Sequence, residues 1–186
     1  MHVILSSFLL VAAAEMGDKT QLLAFTLASR FRRPWTVMAG ILAATLVNHL
    51  GAAALGGWVA AHVSPRRMEA ILAVMFLGFA IWMLIPDRVE AQREGRYGPF
   101  LTTAVLFFLA EMGDKTQLAT LALGARYHAT VLVTLGTTLG MLVADGLAVF
   151  LGDRLASRVQ SRWVRWVGSA LFLAFAVASA WEAWSG

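Results

Sequence analysis

Glu15-Met16-Gly17-Asp18-Lys19-Thr20-Gln21-Leu22 recurs without change as Glu111-Met112-Gly113-Asp114-Lys115-Thr116-Gln117-Leu118, an offset of 96 residues. Eight identical consecutive residues do not arise from composition bias. The same offset, without gaps, superposes Leu27 on Leu123, Arg30 on Arg126, Gly40 on Gly136, Gly56 on Gly152, Arg66 on Arg162 and Phe76 on Phe172. The chain reads as two related halves, a first repeat over 1–86 and a second over 99–186, joined by a polar linker at 87–98.

Both copies of the motif lie in apolar sequence. Of 186 residues, 59% are hydrophobic and 14% charged, and the mean hydropathy is +0.71. That is the composition of a membrane protein. A soluble domain of this length would leave much of the apolar surface in water, so soluble enzyme folds are excluded. The lack of cysteine excludes disulfide scaffolds, zinc-thiolate sites, iron–sulfur clusters and cysteine nucleophiles. A metal ion would have to be held by oxygen or histidine nitrogen. The formal charge of +4 does not point to nucleic acid, because the arginines fall in short clusters between apolar runs.

Stretches able to cross a hydrocarbon layer of roughly 30 Å are expected at about 4–29, 35–61, 68–85, 100–124, 129–151 and 164–184. Trp35, Trp58, Trp82, Trp163, Trp166, Trp181 and Trp184 sit near their ends, where an amphipathic ring rests at headgroup level. With six spans, one side carries Arg30, Arg32, Arg33, Arg88, Arg93, Arg96, Arg154, Arg158, Arg162 and Arg165, and the other Arg66, Arg67 and Arg126. This bias places the arginine-rich loops, including the 87–98 linker, in the cytoplasm and both termini outside it. Residues 3–14 resemble a signal-peptide core ending in Ala12-Ala13-Ala14. They have no basic segment before them, and their pattern recurs at Leu101 to Ala110, so the segment is expected to be retained.

Three spans per half is an odd number, so the second half enters the membrane from the opposite side. The expected fold is an all-α integral membrane protein of six transmembrane helices arranged as two inverted three-helix repeats. Inverted repeats bring equivalent residues together near the midplane around a pseudo-two-fold axis, a geometry suited to alternating access.

In a helix, positions i and i+3 share a face, so Glu15 with Asp18 and Glu111 with Asp114 each form a carboxylate pair. A carboxylate at mid-membrane costs about 2.5–3.5 kcal/mol on insertion scales. Four of them with two lysines amount to roughly 15 kcal/mol or more if unpaired, which folding alone does not require. Hard divalent cations take carboxylate, amide and water oxygens. Gln21 and Gln117 are the next candidate donors. Gly17 and Gly113 could unwind the helix locally and expose backbone carbonyls. Four carboxylates and two lysines sum to −2, which one divalent ion would neutralise, and protons would do so when the ion leaves. Cation/proton exchange follows as the expected chemistry. The competing structural reading is a buried salt-bridge network between helices, a poor source of stability.

Lys19 and Lys115 are either pairing partners that hold the carboxylates apart or mobile internal cations competing with the substrate. In the second helix of each half, Asn48 and His49 lie mid-span and the offset sets Asp145 against His49. Asp145, an intramembrane acid, is expected to serve function rather than helix packing. His49 is a proton carrier or an interhelical donor. Thr20, Thr116, Thr137 and Thr138 are expected to tie helices together, and Gly136-x-x-x-Gly140 to allow close helix contact. His2, His62 and His128 fall at the expected interfaces and read as solvated. Met16 and Met112, soft thioethers on the far face, are not counted as ligands.

At these motifs the sequence resembles the Gdt family of cation transporters, which includes MneA-type bacterial manganese exporters and manganese and calcium transporters of Golgi and chloroplast membranes. The family signature Glu-x-Gly-Asp-Lys/Arg-Ser/Thr occurs twice per chain and is matched at Glu15 to Thr20 and Glu111 to Thr116. The resemblance covers essentially the whole chain. It implies movement of Mn2+, and also Ca2+, against protons, with Glu15, Asp18, Glu111 and Asp114 as ligands of an ion that is substrate rather than resident cofactor. The compact chain resembles bacterial members, which implies a multi-pass protein of the bacterial plasma membrane exporting the ion. Its partners would be the lipid bilayer, the metal ion and protons, with no nucleic acid; a homo-oligomer is compatible with this reading. The alternative is an integral-membrane hydrolase acting on a lipid phosphate, which would want arginine or serine beside the acids. A passive channel or structural subunit is the third reading.

Overall fold

The computed structural model describes residues 1–85, 97–151 and 162–185. Among these the chain is all-helical: α1 His2–Glu15, α2 Lys19–Phe31, α3 Pro34–Ala61, α4 Pro65–Met83, α5 Pro99–Glu111, α6 Lys115–Tyr127, α7 Thr130–Leu151 and α8 Arg162–Ser185. Most of the expected linker, with Arg88, Arg93 and Arg96, and the loop arginines Arg154 and Arg158 lie outside the described residues.

Local sequence explains the boundaries. Pro34, Pro65 and Pro99 open α3, α4 and α5, where the missing N–H removes no helical bond and φ is already helical. Arg32 and His128, one repeat apart, close α2 and α6 in the left-handed conformation at φ 52° and 49°. Their amides donate to Ala28 and Gly124 carbonyls, which satisfies one terminal acceptor of each helix.

The expected single spans 4–29 and 100–124 are not continuous. Each is interrupted at the motif, α1 ending at Glu15 and α2 starting at Lys19, α5 ending at Glu111 and α6 starting at Lys115. Gly17 and Gly113 take φ of 82° and 78°, a backbone state that no α-helix contains and that L side chains disfavour. The unwinding that the glycines permit is thus a full break.

Packing follows the repeat. α1 lies along α7 and α5 along α3, while α4 packs on α8 and α3 on both α6 and α7. A Cβ on Gly136 would stand 2.6 Å from the Ile4 carbonyl and 2.9 Å from Ser7 Cβ. One offset away, a Cβ on Gly40 would stand 2.8 Å from the Phe100 carbonyl and 2.7 Å from Thr103 Cβ. The close contact expected at Gly136 and Gly140 is therefore present, and its counterpart at Gly40 is the same contact repeated. At the α3–α6 crossing Gly56 meets the Leu121 carbonyl and Gly124 meets Ala53. The residue equivalent to Gly124 in the first half is Ala28.

Apolar side chains face outward as well as inward: Leu10, Ile41, Phe76, Phe107 and Phe172 are buried, Val47, Val74, Val177, Trp35 and Trp181 are exposed, and Glu15, Glu111, Asp145 and His49 are wholly buried. An apolar exterior around polar groups is what hydrocarbon as solvent selects. Among the described residues α3, α7 and residues 165–185 of α8 are long and apolar enough to cross a membrane, and α1 and α5 are shorter apolar helices.

Candidate functional site

The two breaks place Glu15 and Glu111 at helix C-termini and Asp18 and Asp114 at the N-caps of the next helices. The carboxylates of each pair are thus not neighbours on one continuous helix, as the i, i+3 spacing suggests. They flank a tight turn whose amides close on the preceding glutamate, Asp18 N to Glu15 O at 3.0 Å and Asp114 N to Glu111 O at 3.1 Å. The Asp18 carboxylate accepts from the Lys19 amide at 2.7 Å.

Charges then pair between the copies. Lys115 Nζ stands 3.1 Å from Asp18 Oδ2, and Lys19 Nζ stands 3.5 Å from Asp114 Oδ2. Each lysine serves the aspartate of the other motif. Glu15 and Glu111 lie within electrostatic reach of one another and of Asp114, and Asp145 within reach of Glu15. Each glutamate has one oxygen held by a threonine, Thr20 Oγ1 donating to Glu15 Oε2 at 2.7 Å and Thr116 Oγ1 to Glu111 Oε2 at 2.8 Å. The other oxygen, Oε1 in both, is buried without a hydrogen-bond partner among the described residues. Among those residues no three His, Asp or Glu side chains form a ready-made metal cage; the acids are spaced by lysines and threonines.

Thr20 and Thr116 tie helices as expected, each holding the glutamate that ends the preceding helix of its own half, Thr20 of α2 on Glu15 of α1 and Thr116 of α6 on Glu111 of α5. Their place inside the identical repeat was the available signal. Thr137 instead donates to the Val133 and Thr134 carbonyls of its own α7, and among the described residues it makes no bond to another helix. Thr138 Oγ1 is buried without a partner among the described residues.

Both glutamines join the breaks to the second helices. Gln21 Oε1 accepts from the Gly17 amide at 3.0 Å and Gln117 Oε1 from Gly113 at 2.7 Å. Gln21 Nε2 donates to the Ala144 carbonyl at 2.8 Å, and Gln117 Nε2 reaches Asn48 Oδ1 at 3.5 Å. Positions 48 and 144 are one repeat apart, so a backbone carbonyl in one half does what a side chain does in the other. Asn48 in turn donates to the Phe108 carbonyl at 3.2 Å. His49 and Asp145, the next residues, are wholly buried, and neither has a hydrogen-bond partner among the described residues. His2, His62 and His128 are exposed, as is Met112, and Met16 is half-buried.

A second polar cluster escaped the sequence reading. Arg126 pairs with Glu69 at 3.0 Å and Glu182 at 2.8 Å and donates to Ser179 at 2.5 Å, joining the end of α6 to α4 and α8. Its counterpart Arg30 is exposed and lies over the Phe31 ring.

A family model described as "Divalent cation/proton antiporter GDT1" matches the chain twice, over residues 3–91 and 99–186. A Vibrio cholerae protein named "Putative manganese exporter" is 46% identical, covering 97% of this chain and 91% of its own. "GDT1-like protein 3" of Arabidopsis thaliana is 32% identical over 94% of this chain and 69% of its own. A GDT1-like protein of Synechocystis is 30% identical, covering 95% of each chain. No solved structure matches the chain.

Proposed function

We propose that this chain, which belongs to the GDT1 family of divalent cation/proton antiporters, exports Mn2+ from the bacterial cytoplasm in exchange for protons, with Ca2+ as the second candidate substrate. The name of the Vibrio cholerae relative favours manganese. The carrying observation is the reciprocal arrangement of the two motifs, in which Asp18 meets Lys115 and Asp114 meets Lys19 beside two buried glutamates. Such a cluster is expensive to bury and is duplicated, which favours a site over a packing device.

In this reading Glu15, Asp18, Glu111 and Asp114 are the ion ligands. Gln21 and Gln117 supply amide oxygen or hold the glycine turns, and the broken helices lend backbone carbonyls. Asn48, His49 and Asp145 form the accessory layer on α3 and α7. Protonation of the carboxylates releases the metal on the side where protons enter. The chain crosses the membrane six times, as α1 with α2, α3, α4, α5 with α6, α7 and α8, in two inverted halves, with both termini outside the cytoplasm. Two observations support the repeat: the doubled family match and the repeated glycine contacts at Gly40 and Gly136.

The test is Mn2+ flux into proteoliposomes under an imposed pH gradient, comparing the native chain with Glu15→Gln and Glu111→Gln. Flux that follows the gradient and disappears in both variants is expected. Flux indifferent to the gradient, or retained in a well-inserted Glu111→Gln, would sink the shared-site antiport reading.

A further inference from the structure

The chain has 15 basic residues besides histidine, and just two are lysines, Lys19 and Lys115, both inside the motifs. Everywhere else the sequence uses arginine. The difference is chemical. Arginine presents a rigid planar fork that grips a carboxylate at two points, whereas lysine is a compact point charge on a flexible stem. Each lysine makes an ion pair with an aspartate of the opposite copy, Lys115 with Asp18 at 3.1 Å and Lys19 with Asp114 at 3.5 Å. Those aspartates are the ones that the proposed function assigns to the metal. An ammonium and a dication compete for the same oxygens.

We propose that Lys19 and Lys115 are tethered counter-cations, which occupy the ligand aspartates of the opposite motif and are displaced by the incoming dication. The inference rests on the reading of the motifs as a cation site and assigns the role of its basic residues. A transport site must bind well enough to load and weakly enough to unload. Four carboxylates alone would hold a dication too firmly for turnover; two internal ammonium groups that return to the aspartates offset that attraction. The two pairs are unequal. The Lys19 side chain is 34% exposed and its pair is the longer, whereas the Lys115 side chain is 4% exposed. Displacement therefore begins at Lys19 and Asp114, where solvent reaches the pair, and proceeds to the sealed Lys115 and Asp18.

The full chain in nanodiscs, titrated with Mn2+ by calorimetry, tests this. Lys19→Gln should tighten Mn2+ binding by about tenfold or more, because one competing charge is gone, while slowing exchange in proteoliposomes. Lys19→Arg keeps the charge and should not tighten it. A second readout uses the scarcity of amines: apart from the N-terminus, an acetylating reagent has Lys19 and Lys115 as its amine targets. Mn2+ should raise acetylation of Lys19 several-fold, read by mass spectrometry. Binding unchanged or weakened in folded Lys19→Gln, or acetylation lowered by Mn2+, overturns the inference and leaves the cation site standing. Absence of Mn2+ and Ca2+ binding in the native chain overturns both.

Discussion

The Thr20 hydroxyl donates to Glu15 Oε2 at 2.7 Å, and its repeat partner Thr116 makes the same bond to Glu111 at 2.8 Å. Both threonines and both glutamates are wholly buried, so the bond fixes which way each carboxylate presents its other oxygen. Thr116→Val removes the donor at nearly constant volume and leaves a buried acceptor unmet, which costs about 1–3 kcal/mol. Thr116→Ser keeps the donor. Mn2+ flux should fall sharply in the valine variant and largely survive in the serine one; equal flux in the two would show that the hydroxyl has no part in orienting the glutamate.

The breaks depend on left-handed glycines. A Cβ on Gly113 would meet nothing within 4 Å, so Gly113→Ala isolates backbone strain at φ 78°, about 1–2 kcal/mol. Asparagine tolerates that conformation better than alanine. Thermal unfolding in detergent should rank native above Gly113→Asn above Gly113→Ala. An alanine variant as stable as the native chain would mean that the turn is not held in this conformation.

Asp145 has both carboxylate oxygens buried without a partner among the described residues, next to the Ala144 carbonyl that anchors Gln21. A carboxyl group so placed, with no hydrogen-bond partner, weakens the fold and is expected to serve transport. Asp145→Asn should unfold at the same temperature as the native chain or higher, and should lose most of its proton-driven Mn2+ flux. A variant that is destabilised yet still transports would assign Asp145 to structure.

The Arg126 cluster makes a contrasting prediction, since it joins three helices away from the motifs. A double-mutant cycle of Arg126→Met and Glu69→Gln should give a coupling of about 0.5–3 kcal/mol in stability. Glu182 is half-exposed in its pair, so Glu182→Gln should change stability by less than about 1 kcal/mol. Zero coupling between Arg126 and Glu69 would remove this cluster as a tie between α6 and α4.

Much of the fold was legible because it follows from solvent and from repetition. Apolar stretches bounded by arginine and tryptophan marked helices to within a few residues, and the eight-residue identity marked the two copies of the site. The interruption at Gly17 and Gly113 was visible as a weakness in the helix, not as a full break, since a glycine within a helix is tolerated until its neighbours require otherwise. Thr20 and Thr116 do tie helices, but their partners were not legible for the same reason: on an unbroken helix their hydroxyls would bond one turn back or reach a neighbouring helix, and the turn at residues 16–18 sets Thr20 on Glu15.

The sequence by itself determined that this is a membrane protein of two homologous halves, and which carboxylates, lysines and amides are duplicated, because composition and identity are properties of the chain. Tertiary structure alone decided the pairings: Lys115 with Asp18 of the other motif, Gln21 with the Ala144 carbonyl, Arg126 with Glu69. Those partners lie tens of residues apart, and what brings them together is how α2 packs on α7 and α6 on α4 within the bundle. No local periodicity encodes that packing; it is set by the shapes of the packed faces.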